Sequence, residues 1–232
     1  MNTFEPLKRR QFLTAATGAA GFALANQLVR SSVAIATDSP SSNPDSASAS
    51  AKVLAELEAK GDDVLNVPRK DGEFLNLLIK VARAKNVLEL GTSHGYSAIW
   101  IGFGLEETQG KLTTLEIRAE RVKLATENVN RAGLSHRIAL RGGDAHELLP
   151  KLEGPFDFAF LDADKSGCVD YFSKLFPKKL TPGGLIVVHN AIQKRDAMKD
   201  YLDLIGKHPE FDSVILSLTM NDGFAVSYRH RA

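Results

Sequence analysis

Short apolar runs separated by longer amphipathic segments occupy the chain from residue 86 to the C-terminus. Seven runs have the length of β-strands: residues 86–90, 112–116, 137–141, 157–162, 184–189, 212–218 and 223–229. Helix-length segments separate the first six, which predicts βαβ units and a parallel sheet covered by helices on both faces. The last two runs are joined by the short turn Asn221-Asp-Gly223, a hairpin signal, so the last strand is predicted to be antiparallel to its neighbour.

Helix signals agree with this layout. Gly133 is placed to end a helix over residues 118–132, and Pro182-Gly-Gly184 interrupts the chain before the fifth strand. The helix before the first strand is predicted to bury one apolar face, made of Phe74, Leu75, Leu77, Leu78 and Val81. With 232 residues, 44% of them hydrophobic, the chain is long enough to bury a sizeable core.

A glycine loop follows the first predicted strand, in the segment Glu89-Leu-Gly-Thr-Ser-His-Gly-Tyr-Ser97. Gly91 and Gly95 let the backbone turn sharply and approach a ligand, and the free N–H groups of the helix start favour a polar or anionic group. The dinucleotide pattern G-x-G-x-x-G is absent, which disfavours a nicotinamide oxidoreductase. Glu89 can bind the amino group of a methionine moiety, so the loop favours S-adenosylmethionine.

Two further carboxylates follow strand-like runs. Glu116 ends the second run and can accept hydrogen bonds from both hydroxyls of a ribose. Asp162 follows the apolar run 156–161, whereas Asp164 lies in the loop beyond and is predicted to be solvated. Because parallel strands end at one edge of a sheet, these residues predict a ligand site there.

Four motifs together resemble the cation-dependent O-methyltransferases typified by the caffeoyl-CoA and catechol enzymes. They are the glycine loop 89–97, Gly143-Asp-Ala145, Leu161-Asp-Ala-Asp-Lys165 and Gly183-Gly-Leu-Ile-Val-Val-His-Asn190. The resemblance extends from about Val64 to the C-terminus. It implies a Rossmann-like class I methyltransferase fold of the α/β class, with a seven-stranded, mostly parallel sheet in the order 3-2-1-4-5-7-6.

The resemblance also implies roles for individual residues. S-adenosylmethionine would be bound by Val67, Glu89, Gly91, Thr92, Ser97, Glu116, Asp144, Ala145 and Asp162. Glu116 would hold the ribose, Asp144 and Ala145 the adenine, and Val67 the methionine end. Asp162, His189 and Asn190 would bind a divalent cation, Mg²⁺ or Mn²⁺. Lys165 would be the general base, with Asp162 beside it.

His189 stands where these enzymes have an aspartate. Mg²⁺ prefers oxygen ligands, whereas imidazole suits Zn, Fe, Ni or Cu, with Mn a borderline case. The site can therefore hold a different metal, hold Mg²⁺ weakly, or hold none, in which case His189 can itself take the acceptor proton. A histidine held by hydrogen bonds in a structural role is the further alternative.

The N-terminus resembles a twin-arginine export signal. Twin arginines in Leu7-Lys-Arg-Arg-Gln-Phe-Leu13 precede a moderately apolar run, and Ala34-Ile-Ala36 offers a cleavage site. We predict a signal peptide over residues 1–36, a disordered linker over 37–51 and a methyltransferase domain over 52–232. The protein would be periplasmic or otherwise exported, or tethered by an uncleaved signal, with no stable membrane span after signal removal.

Charge limits the choice of partners. Residues 1–36 contain four basic and one acidic side chain, so the remainder carries 25 basic against 27 acidic residues. Without a basic stripe interleaved with aromatics, no nucleic-acid binding is predicted. The leading hypothesis is methyl transfer to a hydroxyl of a small phenolic or catechol-like acceptor by a protein that can form a homodimer. The alternative is a non-catalytic, exported protein that binds S-adenosylmethionine or S-adenosylhomocysteine.

Overall fold

Seven strands form one sheet in the order β3-β2-β1-β4-β5-β7-β6. The structure is a computed structural model that describes residues 44–61, 64–218 and 222–231. The strands are β1 Asn86–Leu90, β2 Lys111–Glu116, β3 Ile138–Gly142, β4 Phe156–Leu161, β5 Leu180–His189, β6 Phe211–Leu216 and β7 Phe224–Arg229. Strands β1 to β5 pair in parallel, and β7 pairs antiparallel with both β5 and β6. The predicted fold class and strand order are confirmed.

Helices cover both faces of the sheet. They are α1 Pro44–Ala59, α2 Arg69–Ala82, α3 Tyr96–Thr108, α4 Ala119–Arg131, α5 Ala145–Leu148, α6 Cys168–Leu175 and α7 Lys199–Ile205. The two faces of β1 show the resulting layers, because Val87 joins the core under α1, α2 and α3, whereas Leu88 joins the core under α6 and α7. The alternation of side chains along a buried strand explains why both faces are apolar. None of the helices in the described ranges is long and apolar enough to cross a membrane.

Two features of the helices differ from the prediction. In α2, Leu75 and Ile79 are fully buried, but Leu77 and Val81 are 54% and 72% exposed. Residues 75 and 79 lie one turn apart on one face, and the helical period carries 77 and 81 away from it. The predicted apolar face was therefore too wide.

The N-terminal boundary also differs. Helix α1 begins at Pro44, inside the predicted linker 37–51, and its residues Ser50, Val53, Leu54 and Leu57 are buried. Spacings of three and four residues place these side chains on one helical face, which stabilises the helix by packing. The folded region therefore starts earlier than the predicted residue 52. The predicted signal peptide, the linker up to residue 43, and Asn221 of the predicted hairpin turn lie outside the described residues.

Candidate active site

A cavity of about 810 Å³ opens at the carboxyl ends of β1, β2, β4 and β5. Parallel α/β sheets bind ligands at this edge, where the strand order reverses. The cavity lining includes Leu65, Asn66, Gly91, Ser93, Glu116, Arg121, Asp144, Ala145, His146, Asp162, Asp164, Lys165, Tyr171, His189, Asn190, Gln193, Lys194 and Asp222. The glycine loop, Glu116 at the end of β2 and Asp162 after β4 therefore meet around one space.

The glycine loop needs glycine at the point where it crosses the end of β4. Gly91 has a φ of +96°, and a Cβ built on it would lie 2.6 Å from the carbonyl oxygen of Asp162. Gly95, with a φ of +88°, precedes the first residue of α3. Both the left-handed backbone and the close approach exclude larger residues at position 91. The backbone of this loop therefore forms a cradle on the cavity wall.

Glu89 lies beneath the loop and does not line the cavity. Its Oε1 accepts a hydrogen bond from Ser97 Oγ at 2.5 Å, and its Oε2 accepts one from Thr114 Oγ1 at 2.6 Å. Thr92 Oγ1 lies 2.5 Å from Thr114 Oγ1. Burial raises the pKa of Glu89 to about 7, although the two hydroxyl groups oppose the rise. The side chains of Glu89, Thr92 and Ser97 therefore support the loop from below, and their contact with the cofactor stays a prediction.

Glu116 faces the cavity as predicted. The carboxylate is 5% exposed and accepts hydrogen bonds from the backbone N–H groups of Ser93, at 2.8 Å, and Arg118, at 3.0 Å. These two bonds fix its orientation, and each carboxylate oxygen retains a second acceptor site. The arrangement suits the recognition of two neighbouring hydroxyl groups.

Asp144 and Ala145 lie at the far end of the cavity. Asp144 precedes α5, and its Oδ1 accepts a hydrogen bond from the N–H of His146 at 2.8 Å. The His146 ring stacks on Tyr171 with a centroid distance of 4.3 Å. Sequence reasoning missed His146 and Tyr171, although His146 directly follows the Gly-Asp-Ala motif. The stacked pair offers a flat wall of the kind that suits an aromatic base.

Asp164 is more constrained than predicted. The side chain is 49% exposed, but its Oδ1 accepts a hydrogen bond from the Tyr171 hydroxyl and lies 3.3 Å from His146 Nε2. Burial raises the pKa of Asp164, but these two partners outweigh that effect and lower it. Asp164 therefore orients the aromatic wall and is not simply a solvated loop residue.

Val67 is buried in the core and does not line the cavity. Two preceding residues, Leu65 and Asn66, lie on the wall in its place. An apolar side chain entering α2 gains more from the core than from a polar cavity, which accounts for the difference. The chain just before Val67 therefore lines the cavity, and the contact of Val67 with the methionine end stays a prediction.

Lys165 and Asp162 form an ion pair at the near end of the cavity. The Lys165 Nζ lies 2.5 Å from Asp162 Oδ1, and the two side chains are 15% and 19% exposed. Burial raises the pKa of Asp162, but the charge of Lys165 and the hydrogen bond from His189 outweigh it, so that the pKa is lowered. The structure thus brings the two predicted catalytic residues together on the cavity wall.

His189 lies among three carboxylates, two of which sequence reasoning missed. Its Nε2 is 2.9 Å from Asp71 Oδ2 and 3.9 Å from Asp222 Oδ2, and its Nδ1 is 3.3 Å from Asp162 Oδ1. Burial lowers the pKa of His189, but the hydrogen bonds to Asp162 and Asp71 outweigh it and raise the pKa to about 9. Asp71 was detectable in principle, because it shares the buried face of α2 with Leu75 and Ile79 at four-residue spacing.

The predicted cation set Asp162, His189 and Asn190 does not fit a divalent cation. The ring nitrogens of His189 lie within hydrogen-bonding distance of carboxylates, Nδ1 of Asp162 and Nε2 of Asp71, and a ring that donates from both nitrogens has no lone pair for a metal. Among the described residues, Asp71, His189 and Asp222 also offer ligand atoms within 4.8 Å of one another, so a metal would bind there only by displacing the proton on Nε2. The Asn190 amide donates to Gln193 and Asp222, at 3.2 and 3.4 Å. The same protonated ring has no lone pair with which to act as a general base, which also removes the alternative role predicted for His189.

Comparison with known proteins places this cavity in context. Residues 44–215 match a family model described as O-methyltransferase. A catechol O-methyltransferase of Niastella koreensis is 40% identical over 141 residues, which are 59% of this chain and 63% of that protein. A catechol O-methyltransferase of Mycobacterium tuberculosis is 34% identical over 192 residues, which are 76% and 86% of the two chains. The chain therefore spans less than two thirds of the first relative.

Solved structures show the same architecture. An O-methyltransferase of Bacillus cereus in complex with S-adenosylhomocysteine aligns with a TM-score of 0.69 and 28% identity, covering 85% of this chain and 93% of that one. An O-methyltransferase of Streptomyces achromogenes in complex with S-adenosylmethionine aligns with a TM-score of 0.68 and 26% identity, covering 81% and 91%.

Proposed function

Because the chain belongs to the O-methyltransferase family, we propose that it transfers the methyl group of S-adenosylmethionine to a hydroxyl of a small phenolic or catechol-like acceptor. The observation that carries the proposal is the meeting of the Gly91 cradle, Glu116 and the Asp162–Lys165 pair around one cavity. The cradle and Glu116 suit a nucleoside with a charged amino-acid tail, and the ion pair stands where a second substrate can enter.

In the proposed site, Glu116 accepts hydrogen bonds from the ribose hydroxyls and the His146–Tyr171 stack borders the adenine. The backbone around Gly91 and Asn66 surrounds the methionine end. S-adenosylmethionine supplies an electrophilic methyl group when bound. On the same cavity wall, Asp162, Lys165, Asn190 and Gln193 would face the acceptor. Most of the rate gain would come from holding the two substrates in line.

Lys165 is the proposed general base. The Lys165 ammonium of the resting ion pair must first lose a proton to solvent. The neutral amine then takes the proton of the acceptor hydroxyl, and the Asp162 carboxylate at 2.5 Å stabilises the ammonium ion that forms again. The acceptor oxygen forms a bond to the methyl carbon as the carbon–sulfur bond breaks, and the electron pair of that bond stays on sulfur. The products are the methyl ether and S-adenosylhomocysteine. No step is assigned to a metal, because the predicted donor set does not fit one.

The first test is calorimetric titration of the full chain with S-adenosylhomocysteine in the presence of chelator. Binding to the wild type, weakened in Glu116→Gln but not in Glu120→Gln, supports the cofactor site. Glu120 is a suitable control because its side chain is 67% exposed at the start of α4. Absence of binding would reject the proposal. Binding without methyl transfer to any phenolic acceptor would favour the alternative, a protein that only binds the cofactor.

Two further proposals rest on the sequence alone. Export through a twin-arginine type of signal is supported by the arginine pair, the apolar run and the Ala34-Ile-Ala36 site. Cell fractionation of the full chain and of a variant with both Arg9 and Arg10 changed to lysine tests it. Homodimer formation is tested by sedimentation of the purified chain.

A further inference from the structure

The environment of His189 is that of a bound cation. Three carboxylates, from α2, from the end of β4 and from the turn before β7, converge on one imidazole ring within 3.9 Å. The side chains of His189 and Asp71 are 5% and 2% exposed, so water does little to screen the charges of this pair. A buried ring with carboxylates on both nitrogens is held as an imidazolium, because each nitrogen must donate.

The formal charges of the side chains around His189 also indicate that its ring carries a positive charge. Asp71, Asp162 and Asp222 face His189 and Lys165, so three negative groups meet two positive ones. With aspartate at position 189, four negative groups would meet Lys165 alone. The difference is two units of charge, which equals the charge of one divalent cation. Buried carboxylates at that density require a cation to neutralise them.

We infer that the imidazolium of His189, held by Asp71, Asp162 and Asp222, takes the place and the charge role of a divalent cation, so that the chain transfers methyl groups without a bound metal. His189 is thus a positioning residue that holds Asp162, and through it Lys165, beside the acceptor. The inference rests on the proposed methyl transfer for its functional part, but its structural part concerns metal binding alone.

The substrate class follows from the same feature. A divalent cation can bind two neighbouring acceptor oxygens and orient them, as metal ions do when they act as templates. The His189 ring is enclosed by its own carboxylates and offers no open coordination position. Acceptors with a single phenolic hydroxyl should therefore be methylated as readily as those with two adjacent hydroxyl groups.

The primary test measures metal binding by the full chain. The protein is treated with chelator, equilibrated by dialysis against Mn²⁺, and its bound Mn²⁺ is determined together with its affinity for S-adenosylhomocysteine. The wild type is expected to bind no stoichiometric Mn²⁺. His189→Asp is expected to gain stoichiometric Mn²⁺ binding, and the control His136→Asp, at a side chain that is 56% exposed, is expected to gain none.

Stoichiometric Mn²⁺ on the wild type would overturn the inference, and this measurement does not depend on whether any variant folds. If the His189→Asp variant folds but binds no Mn²⁺, the absence of metal binding in the wild type is not caused by His189, and this part of the inference is overturned. Methyl transfer by the wild type should also survive chelator without loss, whereas abolition by chelator and recovery with Mn²⁺ or Mg²⁺ would contradict the inference. If the wild type binds neither Mn²⁺ nor S-adenosylhomocysteine, the proposed function is rejected, whereas the inference about metal binding is not.

Discussion

The pair of Asp71 and His189 should stabilise the fold in a pH-dependent way. The His189 Nε2 and the Asp71 Oδ2 are 2.9 Å apart, with side chains that are 5% and 2% exposed. Removal of one member of a buried charged pair costs roughly 3–5 kcal/mol. Asp162 and Asp222 still face the ring after Asp71→Asn, so we expect a loss of about 3 kcal/mol in the free energy of unfolding, at the lower end of that range.

The pKa of His189 sets an upper limit on the share that depends on its charge. A rise from 6.5 to about 9 corresponds to roughly 3 kcal/mol of preference for the charged ring, to which Asp162 and Asp71 both contribute. Since the pKa is raised by folding, this contribution is fully present below pH 6.5 and is lost as the pH rises through 9. The cost of Asp71→Asn should therefore be largest below pH 6.5 and should shrink above pH 9.

Urea unfolding of the wild type and of Asp71→Asn, below pH 6.5 and above pH 9, measures the loss in the free energy of unfolding. Burial raises the pKa of Glu89 to about 7, and because Asp71→Asn leaves that burial unchanged, we expect the contribution of Glu89 to cancel in the difference. The matched control is Asp203→Asn, which breaks an exposed ion pair with Lys199 and should cause no measurable change. If Asp71→Asn were as mild as the control below pH 6.5, the coupling of Asp71 to His189 would be refuted.

Three further predictions address the cavity. Glu116→Gln should weaken S-adenosylhomocysteine about tenfold or more, because charged hydrogen bonds contribute roughly 1.5–3 kcal/mol, and unchanged affinity in calorimetry would contradict the ribose assignment. Lys165→Met should lower kcat by about 10²–10⁴ with little change in cofactor affinity, and a kcat near that of the wild type would exclude Lys165 as the base. Gly91→Ala should abolish cofactor binding, because its Cβ would lie 2.6 Å from the Asp162 carbonyl oxygen. Gly133→Ala, with a positive φ but open space around it, should retain binding.

Periodicity and turn chemistry were enough to predict the sheet. The strand runs and the antiparallel end of the sheet matched because they depend on local pattern, except that β5 begins at Leu180 and includes Pro182-Gly-Gly184, which was predicted to interrupt the chain before it. The strand order followed from the family resemblance and is confirmed. Glu116 and Asp162 were also predictable, since a residue at the end of a parallel strand must lie at the ligand-binding edge. The same reasoning could not separate Glu89, whose side chain supports the loop from beneath it, from residues on the cavity wall.

The partners of His189 could not be predicted in this way. Asp71 is separated from His189 by 118 positions, and the two meet only because the fold brings the first turn of α2 to the carboxyl end of β5. Asp222 lies on the turn before β7, whose first residue, Phe224, pairs with His189. Nothing local in the sequence distinguishes a histidine that binds a metal from one that carries the charge itself, because the difference is set by these distant carboxylates.

The enclosed ring of His189 also bears on the conditions under which the enzyme can work. Open sites made of carboxylates and imidazole bind Cu²⁺ and Zn²⁺ more tightly than Mn²⁺, so such enzymes depend on the supply of the correct ion. A cation that is part of the polypeptide is present at fixed stoichiometry from the moment of folding and cannot be exchanged. Mismetallation would then not inactivate the site, and its activity would not follow the metal content of the surroundings.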